Sequence, residues 1–310
     1  MMSQVSVIIA TRNRSSMLRR AVESVRHANC NAEILIVDDA SEDQTQQVGT
    51  SFSDVHYIRA KRRLGLGAAR NIGVIASVSP YISFLDDDDQ RLPGSLDAQV
   101  KLLEEQPEAG MIYGRALYGD DQGLTQGSYY PEHCRHGDLF WDLLRWNFIP
   151  CPTVVFRREC LTRVGLLEEE APGVEDWDLW VRIAELYSVI AIDKAVAIWR
   201  QGTPGSGQFT SRETKLHREA HRLHVNKWLR LPRAITAGTA QRRKISRDFA
   251  ACASRQLVWT AASRLKAGRM LESARVAFAG ARMYPLSMSR NILSLSTLRS
   301  LSSSLETYWR

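Results

Sequence analysis

The sequence is poor in cysteine: five in 310 residues, at Cys30, Cys134, Cys151, Cys160 and Cys252, an odd number with no C-x-x-C spacing. That count disfavours a disulfide framework and a thiolate zinc site, and a reducing compartment is expected. No run reaches the roughly 18 apolar residues that span a bilayer. The opening residues Met1–Val5 place no basic segment ahead of an apolar one, so no secretory leader is expected. The expected location is the cytoplasm, soluble or peripheral at the inner membrane face. No internal repeat of fixed period occurs, which argues against a solenoid.

What is present fits a folded globular chain. Hydrophobic residues make up 44% and charged residues 24%, both ordinary values, and the length allows two domains. The net charge of +7 is unevenly spread. Residues 201–310 hold 20 Lys and Arg against 5 Asp and Glu, which leaves 21 basic and 29 acidic residues ahead of them. A basic C-terminal region can meet nucleic acid, an anionic lipid surface or an anionic partner, or it can be a solvated helical face.

Strand and helix signals alternate through the first half. Val5–Ala10, Ile34–Val37, Val55–Ile58 and Tyr81–Leu85 read as short buried strands. Leu18, Ala21, Val22 and Val25 recur at helical spacing behind Ser15 and Ser16 as caps. Ser41 and Gln44 have capping-box spacing, and Gly67–Val78 reads as a helix. Pro93 is expected to open a helix carrying Leu96, Val100 and Leu103. The repeated β-α order predicts an α/β fold with a mostly parallel sheet flanked by helices. Farther on, Leu139–Trp146 and Asp176–Leu186 read as helices, and Thr153–Arg157, Val189–Ile192 and Ala195–Arg200 as strands. Gly202–Gly207 is the candidate boundary, so the domains are set at 1–205 and 206–310. Beyond it the pattern is helical: Leu271, Ala274, Phe278 and Ala281 form a stripe within Arg269–Met283, with Arg275 and Arg282 off it. Leu298, Leu301 and Leu305 form a last short stripe.

Acidic residues stand at two strand ends. Asp38–Asp39 follow Ile34–Val37, and Asp86–Asp89 follow Tyr81–Leu85. Ligands of open α/β sheets bind beyond such ends. Carboxylates crowded there repel one another, and a hard cation such as Mg²⁺ or Mn²⁺ offsets that repulsion. The pair Glu175–Asp176 precedes an amphipathic helix, where it can act as a general base or simply favour the helix dipole. Gly65–Asn71 superficially suggests a dinucleotide fingerprint, but Arg70 stands where the third glycine belongs, so a nicotinamide dehydrogenase is disfavoured.

Five segments in order, Val5–Arg14 (VSVIIATRNR), Ile34–Thr45 (ILIVDDASEDQT), Gly65–Gly73 (GLGAARNIG), Ser83–Leu96 (SFLDDDDQRLPGSL) and Val174–Arg182 (VEDWDLWVR), resemble the motifs of family 2 glycosyltransferases. The resemblance spans roughly residues 5–200. It implies a GT-A, Rossmann-like catalytic domain with a C-terminal helical extension. It further implies a nucleotide-diphosphate sugar donor, usually a UDP-sugar, and a divalent cation. By the same resemblance Ala10, Thr11 and Arg12 would border the base, Asp39 would hydrogen-bond it, and Arg70 would face the nucleotide. Asp88 with Asp86 would hold the metal, Asp86 and Asp87 would lie near the ribose and sugar, and Asp176 would be the catalytic base with Glu175 as its substitute. A saccharide or lipid-linked saccharide is the implied acceptor, in cell-surface polysaccharide or glycolipid synthesis, and no nucleic acid is expected as partner.

Departures from the family pattern are specific. Gln201–Gly202–Thr203 stand where a histidine often follows the last strand, and the Q-x-x-R-W motif of processive enzymes is missing. Transfer of one sugar per binding event is therefore expected, and the resemblance implies an inverting hexosyl transfer. A nucleotidyltransferase and a non-catalytic nucleotide-sugar-binding protein are the alternatives. His217, His221 and His224 share a helical face that reads as a polar face before it reads as a metal site. Trp141, Trp146, Trp177 and Trp180 read as core before they read as sugar platforms.

Overall fold

A computed structural model describes residues 4–28, 31–120, 123, 125–201 and 213–292. Cys30, the Gly202–Gly207 stretch and the stripe Leu298, Leu301 and Leu305 lie outside the described residues. The described residues fall into two compact units, one within Met1–Leu139 and Phe148–Thr203, the other within Phe140–Asn147 and Pro204–Arg310.

The first unit is built on one sheet. Its strands are β1 (Val5–Thr11), β2 (Ala32–Asp38), β3 (Val55–Arg59), β4 (Tyr81–Asp86), β5 (Gln90–Arg91), β6 (Ala109–Gly119), β7 (Thr125–Tyr130), β8 (Val155–Arg157) and β9 (Ser188–Arg200). Their order is β3-β2-β1-β4-β8-β6-β9-β5, with β7 also on β6. The four strands from β3 to β4 run parallel, as the repeated β-α pattern predicts. The remainder is mixed: β8 pairs antiparallel with β4 and β6, while β9 runs parallel to β6. β9 is one strand with register shifts, where the sequence suggests two. The short β5 pairs with Ala197 and Ile198 of β9 and was not expected.

The helices of this unit are α1 (Ser15–His27), α2 (Thr45–Thr50), α3 (Leu66–Ala76), α4 (Ser95–Glu104), α6 (Cys160–Val164) and α7 (Glu175–Leu186); α5 (Phe140–Arg145) belongs to the second unit. β1 is buried along its whole length, as a central parallel strand must be. Leu18, Ala21, Val22 and Val25 of α1 pack beneath it with Val5, Val7 and Ile9. On the helix side α3 comes so close that a Cβ at Gly73 would lie 2.4 Å from Ile8.

Helix starts differ from the expected caps. The N–H groups of Arg14 and Ser15 are taken by Thr45 Oγ1 and Asp43, at 3.3 and 3.2 Å, and not by a serine of α1. Ser41 makes no capping box: its hydroxyl accepts from Asn13 N–H at 3.0 Å. The loops after β1 and β2 are thereby knitted together. α4 begins at Ser95, two residues beyond Pro93, because Gly94 adopts a left-handed turn.

The second unit is helical. Alongside α5 it contains α8 (Glu213–Asn226), α9 (Pro232–Thr236), α10 (Gly238–Lys266), α11 (Met270–Met283) and α12 (Pro285–Ile292). Ile245, Phe249, Ala253, Leu257 and Ala261 of α10 supply its buried stripe. The stripe Leu271, Ala274, Phe278 and Ala281 of α11 points to solvent, and Ser273, Val276 and Gly280 face inward. Among the described residues no helix is long and apolar enough to cross a membrane.

Candidate active site

Strands β2, β1 and β4 end side by side, with Thr11 in register with Asp38 and Ala10 with Asp86. This places Ala10, Thr11 and Arg12, the Asp38–Asp39 pair and the Asp86–Asp89 run at one edge of the sheet, where ligands of such sheets bind. Ala10 and Thr11 are buried and Arg12 is half-buried. Arg12 Nε is a buried donor with no partner among the described residues, an arrangement that is costly unless something fills it.

Asp39 receives two backbone donors, Leu64 N–H at 2.5 Å and Gly65 N–H at 3.0 Å. Its carboxylate thus fixes the loop that leads into α3 and still has lone pairs to offer. Asp38 serves the turn itself: it accepts from Ser41 N–H and from the Tyr57 hydroxyl, at 2.7 and 2.5 Å.

The run after β4 sends its four carboxylates different ways. Asp86 accepts from Arg70 at 2.6 Å. Asp87 turns inward, accepting from Thr11 Oγ1 and from Arg14, each at 2.7 Å. Burial pushes its carboxyl up to about 6, and Arg14 offsets only part of that. Asp88 lies 3.0 Å from Arg14 and 3.7 Å from Arg200. Asp89 is buried and accepts the Arg200 N–H at 2.9 Å; burial first, then Asp88 and Asp86, hold it well above the usual carboxylate range.

Oxygens of Asp86, Asp88 and Asp89 lie within 4.8 Å of one another, the one such metal-competent group among the described residues. Three hard oxygen donors suit Mg²⁺ or Mn²⁺, and the upward pressure on Asp89 is what a cation there would relieve. The residues present fit the ion. Asp89 joins Asp86 and Asp88 in this group, an addition to the pair expected from sequence.

Arg70 links the two acidic motifs. Buried beside the ring of Phe84, it donates to Asp86 on one side and to Glu175 Oε1, at 3.0 Å, on the other. Glu175 is further held by Gly173 N–H at 2.5 Å and is fully buried. Asp176, half-buried at the first turn of α7, accepts Trp177 N–H at 2.7 Å, its one hydrogen bond among the described residues. Burial and then Glu175 push Asp176 up to about 7, with Arg70 opposing. The two carboxylates therefore differ: Glu175 is engaged in the scaffold, and Asp176 can exchange a proton near neutral pH. The loop ahead of them is pinned by Asn71, whose side chain makes two 3.0 Å bonds with the backbone of Leu167 and one of 2.9 Å to Glu169.

Three residues of this centre carried no sequence-based assignment. Arg14 was visible in the first motif as a bare arginine. Arg200 occupies the strand end just before the position that lacks histidine. Cys151 lies in the 3₁₀ turn Cys151–Thr153. Burial lifts its thiol well above its ordinary range, with Arg70 opposing and Asp176, Asp86 and Glu175 adding to the rise, so it stays protonated.

The other candidates fall into cores. His217 packs on Trp146, and His224 stacks on Phe249 with ring centroids 4.2 Å apart. Burial lowers their imidazoles to about 4 and about 3. They are neutral core residues and not the solvated polar face expected. Trp180 packs between Phe84 and Phe156, and Trp177 is buried.

Comparison with known proteins agrees with this geometry. The pattern of "Glycosyl transferase family 2" matches residues 6–165. An uncharacterized glycosyltransferase of Rickettsia felis is 32% identical over 202 residues, covering 63% of this chain and 32% of that protein. The chain thus spans about a third of the length of the curated relatives it matches first. The Escherichia coli protein named UDP-Glc:alpha-D-GlcNAc-diphosphoundecaprenol beta-1,3-glucosyltransferase WfaP is 29% identical over 187 residues, covering 59% of this chain and 70% of its own. Among solved structures, S. aureus TarS 1-349 in complex with UDP-GlcNAc superposes with a TM-score of 0.64 at 18% identity, over 96% of this chain and 88% of that one. At that identity the likeness speaks for the GT-A fold alone.

Proposed function

The chain belongs to glycosyl transferase family 2, and on that premise we propose that it moves a hexose from a UDP-sugar to an acceptor hydroxyl, one residue at a time and with inversion. The observation that carries this reading is the ion-pair chain Asp86–Arg70–Glu175, buried at Arg70 and Glu175, which ties the acidic turn to the helix bearing Asp176. Ala10, Thr11, Arg12 and Asp39 hold the nucleoside, with the unfilled Arg12 Nε as a donor to it. Asp86 and Asp87 border the ribose and sugar side, while Asp87 also braces Arg14. Asp86, Asp88 and Asp89 would hold a divalent Mg²⁺ or Mn²⁺ ion, which would offset charge on the departing nucleoside diphosphate. Arg14, Arg70 and Arg200 supply fixed positive charge around the same leaving group. Asp176 takes the proton of the attacking hydroxyl, while Glu175 keeps Arg70 and the helix start in place.

The name of the E. coli relative supports a lipid-linked saccharide as acceptor. We place the enzyme in cell-surface polysaccharide or glycolipid synthesis, at the cytoplasmic membrane face, with the basic C-terminal unit meeting anionic lipid. The nucleotidyltransferase alternative is set aside because the family's reaction is sugar transfer.

The test is release of nucleoside diphosphate from a panel of UDP-, GDP-, CDP- and dTDP-sugars, with Mn²⁺ and with chelator. Metal-dependent release from one donor class, lost in Asp88→Ala, is the expected result. Metal-independent release, or full activity of Asp88→Ala, sinks the metal assignment. No release and no nucleotide-induced thermal shift for any donor sinks the enzyme reading.

A further inference from the structure

We propose that the outward face of α11 is a membrane-insertion surface for an anionic bilayer. This deepens the membrane reading above by naming the surface. Met270, Leu271 and Phe278 are 70%, 77% and 72% exposed, and Leu286 of α12 is 76% exposed. On an α-helix Met270, Leu271, Ala274, Phe278 and Ala281 fall on one side, all of them exposed. A soluble surface tolerates single exposed apolar residues; a continuous row of large ones marks a contact site.

Charge selects the occupant. Exposed Arg275 and Arg282 line one edge of the row on the same helix, and neither has an acidic partner among the described residues. Lys266, Arg269 and Arg290 are exposed at its two ends. Residues 213–292 together hold 17 Lys and Arg against 4 Asp and Glu. An apolar row with an aromatic ring, bordered by arginines, is the composition of a helix that lies in the headgroup boundary of an anionic leaflet. A second copy of this chain would bring the same arginines against each other, which disfavours self-association through this face.

The inward side explains how the row stays free. Ser273 Oγ donates to Ala261 O of α10 at 2.7 Å, and a Cβ at Gly280 would lie 2.8 Å from Met288 of α12. The helix packs on its neighbours by its small residues, so its large ones are left outward.

The test is flotation of the full chain with phosphatidylglycerol vesicles and with phosphatidylcholine vesicles at low salt. The wild type is expected to float with the anionic vesicles only. Leu271→Ser/Phe278→Ser and, separately, Arg275→Glu/Arg282→Glu should each lower partitioning by about tenfold or more, while donor hydrolysis in solution is unchanged. Wild-type flotation that the serine pair leaves intact overturns the face but leaves charge-driven membrane binding standing. No flotation of the wild type overturns both, and the hydrolysis assay then judges sugar transfer on its own. Binding that emerges only after truncation beyond Ile292 makes residues 293–310 the occupant. A dimer that the serine pair converts to monomer makes it a second copy. Either result overturns the proposal.

Discussion

The apolar residues of α1 and of α11 recur at the same helical spacing, yet Leu18, Ala21, Val22 and Val25 are fully buried while Leu271 and Phe278 stand open to solvent. Periodicity tells that a helix has an apolar side; it does not tell whether anything waits to cover it. α1 lies under a parallel sheet whose strands are apolar on both faces, so its stripe has a partner. α11 packs through Ser273, Val276 and Gly280, and its large residues remain outside between arginines. The first unit buries its stripe beneath an acidic site. The second leaves its stripe exposed on a basic surface.

The largest effect expected anywhere in this comparison is at the site above the buried stripe. Asp176→Asn keeps the size of the side chain and removes the proposed base, so on that proposal turnover should fall by about 10²- to 10⁴-fold with little change in the affinity for nucleoside diphosphate. Steady-state kinetics paired with nucleotide titration separates the two. Near-normal turnover would mean that another group takes the proton, with the adjacent Glu175 the first to test. Next in size is the stripe itself. Leu18→Ala removes a fully buried side chain from the core under β1 and should cost about 2–5 kcal/mol of stability, read from denaturant unfolding of the full chain.

The acid limb of the activity profile follows. Burial and Glu175 hold the Asp176 carboxyl near 7. A raised carboxyl pKa means that the basic form is lost as pH falls through that value. Turnover should then decline about tenfold per pH unit on the acid side, and a bound cation close by moves the limb lower. The limb should vanish in Asp176→Asn. An acid limb that persists unchanged in Asp176→Asn would remove Asp176 from the rate-limiting proton transfer.

The first unit was largely legible from the chain because its signals are local. Short apolar runs ending in Asp38 and Asp86 told both the strands and the sheet edge at which these acidic residues gather. Hydrogen bonds made across the sheet edge were not legible. That Thr45 and Asp43 cap α1, that Arg70 joins Asp86 to Glu175, and that Asp89 completes the carboxylate group all depend on residues brought together by folding. The strand β8 was read within Thr153–Arg157, but its antiparallel place between β4 and β6 was not, for the same reason: the pairing joins residues far apart in the sequence. Helix α5 was expected from its spacing, but its membership in the second unit was not, because sequence order places it inside the first. The histidines of α8 misled because charged neighbours suggested a wet face, whereas Trp146 and Phe249 cover two of them.

The smallest effect sharpens the comparison most. Leu271→Ser exchanges a large apolar residue for a polar one, as Leu18→Ala exchanges a large one for a small one, and the two sites look alike in sequence. If the α11 row is open, Leu271→Ser removes almost no buried area, and the unfolding free energy should move by no more than about 0.5 kcal/mol. The cost at Leu18 should then exceed that at Leu271 several-fold in the same assay. A loss at Leu271 comparable to that at Leu18 would mean that the row is covered in solution, by residues 293–310 or by a second copy. It would also remove the surface on which membrane docking rests. An unchanged unfolding midpoint combined with lost vesicle binding assigns Leu271 to a contact outside the fold, which is the distinction between these two helices.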